Sequence, residues 1–119
     1  MAKILVVDDS LFMRKILKDI LAELEYTDVI EAGFGKAAVE EFNKSKPDLV
    51  LLDIVLPDMS GDEVLKKMME IDSKAKVIMV TAVGQKSMVD ECMGAGAKSY
   101  IIKPFDKEKV KDELKRWIG

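Results

Sequence analysis

Short apolar runs alternate along the chain with longer segments of helical period. The runs are Ile4 to Val7, Val29 to Ile30, Leu49 to Leu52, Val77 to Val80 and Tyr100 to Ile102, and their length and β-branched content predict strands. After the first run, Met13, Leu17, Ile20, Leu21 and Leu24 fall at i, i+4, i+7, i+8 and i+11, a spacing that lays one apolar stripe along a helix. Ala38, Val39 and Phe42 mark a second helix, and Val64, Leu65, Met68 and Met69 a third. Met88, Val89, Cys92 and Met93 mark a fourth, and Val110, Leu114, Trp117 and Ile118 a fifth. Strands that read as unbroken hydrophobic runs are buried on both faces, so the expected fold class is α/β: a three-layer (βα)5 sandwich with a five-stranded parallel sheet between helices. The connections are short and carry turn residues, as at Gly33 and Gly35, Lys46-Pro47-Asp48, Pro57 to Gly61, Gly94-Ala95-Gly96 and Lys103-Pro104. No linker, repeat or low-complexity stretch interrupts the pattern, which predicts one domain over residues 1–119.

What ends each strand carries the chemistry. Val7 is followed by Asp8 and Asp9, Leu52 by Asp53, Val80 by Thr81 and Ile102 by Lys103. In a parallel sheet all carboxyl ends lie on one edge, and open α/β sheets bind ligands in the crevice outside that edge. These five side chains are therefore expected to converge. Three carboxylates brought together repel one another unless something positive lies between them. Oxygen ligands alone point to a hard ion, and Mg²⁺ is typically held by one or two carboxylates plus waters, which leaves places for a phosphate. Lys103 adds a flexible positive charge suited to a phosphoryl oxygen, and Thr81 a hydroxyl donor. An Asp carboxylate acts as a nucleophile toward phosphorus in known covalent catalysis. Asp53 is the candidate acceptor because it stands alone after the central third strand, whereas the Asp8-Asp9 pair suits holding the ion.

Composition narrows the partners. Of 119 residues, 49% are hydrophobic and 34% charged, a balance that favours a folded globular protein over disorder. The net charge of −3, with both signs interspersed, leaves no basic footprint for nucleic acid. Cys92 is the only cysteine and there is no histidine, which rules out an internal disulfide and disfavours transition-metal sites. Carboxylates at positions 8 and 9 interrupt the first apolar run before it reaches signal-peptide length, and no later run approaches the roughly 20 apolar residues that span a bilayer. The expectation is a cytoplasmic protein with no membrane partner.

Asp8-Asp9, Asp53 with Pro57 and Gly61 downstream, Thr81-Ala82 and Lys103-Pro104-Phe105, each at the end of its expected strand, together resemble response-regulator receiver domains. The segment VVDDSLFMRKIL is most similar to the chemotaxis (CheY-type) members, and the resemblance spans essentially the whole chain. It implies the flavodoxin-like strand order 2-1-3-4-5, which the pattern alone does not give. It further implies that Asp53 accepts a phosphoryl group from a histidine-kinase phosphohistidine, that Asp9 ligates Mg²⁺ directly and Asp8 through a water, and that Val55 supplies a backbone carbonyl. Thr81 is then a hydrogen-bond partner of the phosphoryl group, Tyr100 an inward-swinging switch residue, and Lys103-Pro104 a cis peptide. The output implied is a changed surface on helix 4, strand 5 and helix 5 that binds a motor-switch or adaptor protein as a monomer. Because Gly119 follows the fifth helix directly, no attached effector is expected. Val55 and Val83 are aliphatic where other members often carry polar groups that orient water, so a persistent phosphoryl group and a separate phosphatase are expected.

Blander roles exist for the same residues. Asp8, Asp9 and Ser10 suit the N-terminus of the first helix as caps, and such capping is compatible with metal binding. Cys92 reads as a small buried hydrophobe, the methionines of the helical stripes as core, and the lysines of the last helix as a solvated face. Among other functions, a haloacid-dehalogenase-like phosphatase also uses an Asp nucleophile, Mg²⁺, Thr and Lys, yet it needs an Asp-x-Asp pattern after the first strand that Asp8-Asp9-Ser10 lacks. A flavin carrier needs phosphate-binding donors after that strand, where two carboxylates would repel the ligand. A phosphorelay intermediate and an unphosphorylated scaffold are the remaining alternatives. The chain is thus expected not to be a classical enzyme, although it would catalyse its own phosphorylation and slow dephosphorylation.

Overall fold

The computed structural model describes residues 2–119. Five strands and five helices alternate: β1 (Lys3–Val7), α1 (Leu11–Glu23), β2 (Asp28–Ala32), α2 (Gly35–Ser45), β3 (Leu49–Leu52), α3 (Gly61–Ile71), β4 (Val77–Thr81), α4 (Lys86–Ala95), β5 (Ser99–Ile102) and α5 (Lys107–Ile118). All strand pairs are parallel and the order is β2-β1-β3-β4-β5. The expected (βα)5 sandwich is the observed fold, with the strand order that the family resemblance implies.

Side chains alternate across the sheet, and each set finds its own helices. Leu5, Val7, Val50, Leu52, Val77 and Met79 face Ala38 and Phe42 of α2, Val64, Leu65 and Met68 of α3, and Cys92 of α4. Ile4, Val6, Leu49, Leu51, Ile78 and Val80 face Leu17, Ile20 and Leu21 of α1 and Val110 and Leu114 of α5. Apart from Lys3, every residue of β1, β3 and β4 is buried, which is why these strands read as continuous apolar runs. β2 is an edge strand with exposed Asp28 and Glu31, and its apolar signal shrinks accordingly to Val29 and Ile30.

Two details differ from the sequence pattern. Leu24 extends the apolar stripe of α1 but is its C-cap, because Glu25 takes a left-handed conformation (φ 67°) that ends the helix. Met93 shares the helical spacing of the α4 stripe yet is exposed, while Met68 is fully buried and Met69 and Met88 are half-buried. α4 buries only Cys92 completely, so its stripe is narrower than the sequence suggests.

Candidate functional site

The sheet itself places the polar residues. Asp8 lies one position past β1, yet its N–H still donates to the Ala32 carbonyl of β2 at 3.1 Å. Asp53 lies one position past β3 and donates to the Val7 carbonyl at 3.0 Å, and Lys103, one past β5, donates to the Thr81 carbonyl at 2.8 Å. Each functional residue is thus the last rung of a ladder, held by the stiffest part of the fold. Behind Asp53 the chain turns into α3 through Gly61, whose N–H donates to the Ile54 carbonyl at 2.7 Å. A Cβ on Gly61 would stand 2.0 Å from the Asp53 carbonyl oxygen, so only glycine lets α3 start this close to the acceptor strand.

Carboxylate oxygens of Asp8, Asp9 and Asp53 lie within 4.8 Å of one another. Asp8 and Asp53 are buried, at 2% and 6% exposure, and Asp9 is open to solvent. Lys103 Nζ sits between the two buried groups, 2.7 Å from Asp8 Oδ2 and 3.0 Å from Asp53 Oδ2. Asp8 Oδ1 accepts the Ser10 N–H at 2.9 Å, so both Asp8 oxygens are engaged by the chain while the Asp9 carboxylate faces outward. Burial pushes the Asp8 carboxyl above its usual range; Lys103 and the Ser10 amide pull it down without cancelling that effect, and the Asp53 charge adds to the rise. Burial alone would lower the Lys103 ammonium, but its hydrogen bonds to Asp8 and Asp53 outweigh this and the net direction is upward. Lys103 is therefore firmly cationic, and the cluster of one ammonium against three carboxylates remains short of positive charge. An oxygen-only donor set with that deficit fits a hard divalent ion.

The remaining predicted residues stand around this centre in different ways. Thr81 closes β4, is fully buried, and its Oγ1 accepts the Val83 N–H at 3.3 Å, which leaves its own proton to donate elsewhere. The Tyr100 hydroxyl donates to the Val83 carbonyl, so this half-buried ring ties β5 to the β4–α4 loop; burial raises its hydroxyl to about 12. The Val55 N–H donates to Asp53 Oδ1 at 3.2 Å, and the Val55 side chain is 59% exposed beside the acceptor. The Lys103-Pro104 peptide is cis, as the resemblance implies. Ser10 is the cap of α1, its Oγ accepting the Met13 N–H at 3.1 Å, so helix capping and the acidic pair share one turn.

Two participants escaped the sequence reading. Asp58 spans to α2, where its two carboxylate oxygens accept the N–H groups of Gly35 and Lys36 at 2.7 and 2.9 Å. It caps a helix whose own N-cap, Phe34, has no suitable side chain, and ties the loop after Asp53 to the far side of the site. Those two amides, Lys36 first, hold the Asp58 carboxyl below the usual carboxylate range. Arg14 reaches back from α1 to the Asp8 carbonyl at 2.7 Å. Neither contact has a sequence signature, because each joins residues of ordinary surface type from different elements.

A model of the response regulator receiver domain matches residues 4–115. The chain belongs to the response regulator receiver family. This receiver is 44% identical over 114 residues to the chemotaxis protein CheY of Thermotoga maritima, covering 96% of this chain and 95% of that one. It is 38% identical to the sporulation initiation phosphotransferase F of Bacillus subtilis, over 98% of this chain and 93% of that one. Among solved structures, the receiver superposes with a TM-score of 0.93 and 35% identity on a chain of the CheX-CheY-BeF3-Mg²⁺ complex from Borrelia burgdorferi, covering 99% of this chain and 90% of that one. It is thus the receiver domain of a CheY-like response regulator, a component of two-component signalling. Receiver domains bind Mg²⁺ in the active site, are phosphorylated and dephosphorylate themselves. Among the described residues no helix is long and apolar enough to cross a membrane.

Proposed function

We propose that this receiver is a phosphorylation switch whose acceptor is Asp53, charged by a histidine kinase of the chemotaxis type. The observation that carries the reading is the buried Asp53 carboxylate, fixed by the sheet, gathered with Asp8 and Asp9, and paired to Lys103. In the transfer an Asp53 carboxylate oxygen attacks phosphorus and the P–N bond of the phosphohistidine breaks. The bonding pair stays on the imidazole nitrogen and an acyl phosphate forms on Asp53. Asp9, Asp53 and the Val55 carbonyl, with Asp8 acting through a water, would hold Mg²⁺, and the chemistry supplied there would be neutralisation of charge on phosphoryl oxygens. Lys103 exchanges its Asp53 contact for a phosphoryl oxygen. Thr81 contributes the hydroxyl proton that its bond from Val83 leaves available.

The output follows from the same contacts. When Thr81 turns to donate to the phosphoryl group, the Val83 amide that it accepts moves with it, and Tyr100 holds the carbonyl of that same residue. The β4–α4 loop thereby shifts population between two arrangements, and α4, β5 and α5 present a different face. Exposed Met93 and Ile102 supply apolar area on that face for a motor-switch or adaptor protein. Val55 and Val83 offer no polar side chain to orient a hydrolytic water, so the acyl phosphate persists and a separate phosphatase removes it; the CheX-bound CheY of Borrelia is a relative seen with a partner protein. The receiver then acts as a cytoplasmic monomer, one domain over residues 1–119, and not as a classical enzyme. A second reading, an intermediate that hands the phosphoryl group to another histidine, is favoured by the similarity to the sporulation phosphotransferase.

Intact mass after incubation with acetyl phosphate tests the acceptor. The expected result is one phosphoryl adduct that requires Mg²⁺ and is absent in Asp53→Asn. An adduct of equal yield in Asp53→Asn, or none in the wild type, overturns the assignment. Decay of the wild-type adduct within seconds would remove the need for a phosphatase.

A further inference from the structure

The turn that carries Asp8 and Asp9 is held from outside the acidic cluster by one side chain. Arg14 Nη1 donates to the Asp8 carbonyl oxygen at 2.7 Å, and its Nε donates to Glu31 Oε1 at 2.9 Å. Glu31 also accepts Lys18 Nζ at 3.0 Å, and Lys18 followed by Arg14 keeps its carboxyl below the usual range, so the brace is a charged network at neutral pH. Gly33 leaves the room: a Cβ there would stand 3.2 Å from Arg14 Nη1 and 3.9 Å from the Asp8 oxygen. The carbonyl that Arg14 grips belongs to the peptide joining Asp8 to Asp9. Its orientation bears on where the exposed Asp9 carboxylate points, and Arg14 is the side chain that hydrogen-bonds that oxygen.

We infer that Arg14 is a positioning residue for the divalent cation: by clamping the Asp8 carbonyl through the Glu31-anchored fork, it presets Asp9 for the metal. The inference rests on the Mg²⁺ reading of the Asp8, Asp9 and Asp53 cluster. Its sign separates it from a plain charge effect. A guanidinium beside a cation site repels the cation, so if Arg14 acted through charge alone, Arg14→Ala would tighten Mg²⁺ binding and Glu31→Gln would weaken it. A clamp gives the opposite result for Arg14→Ala, because partners that orient metal ligands typically change affinity by about 10- to 100-fold when removed.

Calorimetric titration of Mg²⁺ into the unphosphorylated full chain, with thermal unfolding of each variant as a check on folding, decides the matter. Arg14→Ala is expected to bind Mg²⁺ about 10-fold or more weakly. Glu31→Gln, which loosens the anchor and keeps the grip on the carbonyl, is expected to lose less. Arg14→Lys keeps the charge but not the two-pronged fork, and is expected to bind more weakly than wild type. Wild-type or tighter affinity in Arg14→Ala overturns the inference, as does wild-type affinity in Arg14→Lys should the alanine variant not fold. Absence of Mg²⁺ binding by the wild type, or undiminished binding by Asp9→Asn, would instead overturn the metal reading itself.

Discussion

At the carboxyl edge of the sheet Asp8 and Asp53 are buried with Lys103 between them, whereas at the amino edge Asp48, Asp72, Lys74 and Lys76 surround an open hollow of about 560 Å³. The residue types are alike and the physics is not. Asp48 accepts the Lys3 N–H at 2.7 Å and so ties the start of β1 to the residue before β3, while Asp72 accepts the Lys74 N–H at 2.9 Å and closes a turn, both contacts being exposed. Lys76 spans to the Trp117 carbonyl at 2.9 Å and fastens the end of α5. None of these carboxylates shares its site with another buried charge. The lesson is that a hollow and a set of charges do not make a reactive centre; the centre is where the backbone ladder forces like charges together away from water, and the fold carries their repulsion until a ligand relieves it.

The contrast is sharpest at two glycines. Gly61→Ala pushes a methyl group into the Asp53 backbone and is expected to cost about 3 kcal/mol or more in urea unfolding. A loss below about 1 kcal/mol would show that the loop after Asp53 yields easily and that the acceptor is not held rigidly. Lys103→Ala, which strips the buried pair of its cation, is expected to lose about 2 kcal/mol in the metal-free protein. Lys74→Ala at the other edge should stay within about 0.5 kcal/mol of wild type; equal losses for the two lysines would erase the comparison. Asp8→Asn removes a carboxylate whose ionisation burial opposes. It is expected to stabilise the metal-free fold by about 0.5 to 2 kcal/mol, with Mg²⁺-dependent phosphorylation lost. A destabilised Asp8→Asn would mean that Lys103 more than compensates the burial. Gly94→Ala, in α4 with open space around it, should gain about 0.4 to 1 kcal/mol, the smaller of the two expected gains.

Alkaline titration gives a further, graded check. Burial pushes the Cys92 thiol up to about 11 and the Tyr100 hydroxyl to about 12, from ordinary values of 9.0 and 10.0. In each case the unfolded chain loses its proton first, so stability should hold to about pH 9 and fall as pH rises above it. The raised Lys103 ammonium works in the same direction, since the folded state keeps that proton after the unfolded state has released it. Unfolding midpoints between pH 7 and 11 would follow this fall, and a flat profile would place Cys92 and Tyr100 in water.

Much of this was legible in the sequence because a parallel sheet enforces it. Three central strands and the partly exposed β5 announce themselves as apolar runs, and the residue that follows each run is fixed on one edge, so Asp8, Asp53, Thr81 and Lys103 can be named from the sequence. Where the rule weakens, so does the reading. β2 lies at the edge and shows only Val29 and Ile30, and Met93 keeps helical spacing on a helix that buries a single residue completely. Arg14 and Asp58 were invisible for a different reason. Arg14 acts on a backbone carbonyl six positions back, and Asp58 on amides of another helix, so periodicity and strand ends carry no trace of either.

The most direct test of the central claim is phosphotransfer from a radiolabelled chemotaxis-type histidine kinase to this chain, read as label on the receiver with and without Mg²⁺. The account predicts rapid Mg²⁺-dependent transfer to the wild type, label released by hydroxylamine as an acyl phosphate is, and none on Asp53→Asn. Label on Asp53→Asn at the wild-type rate would contradict it.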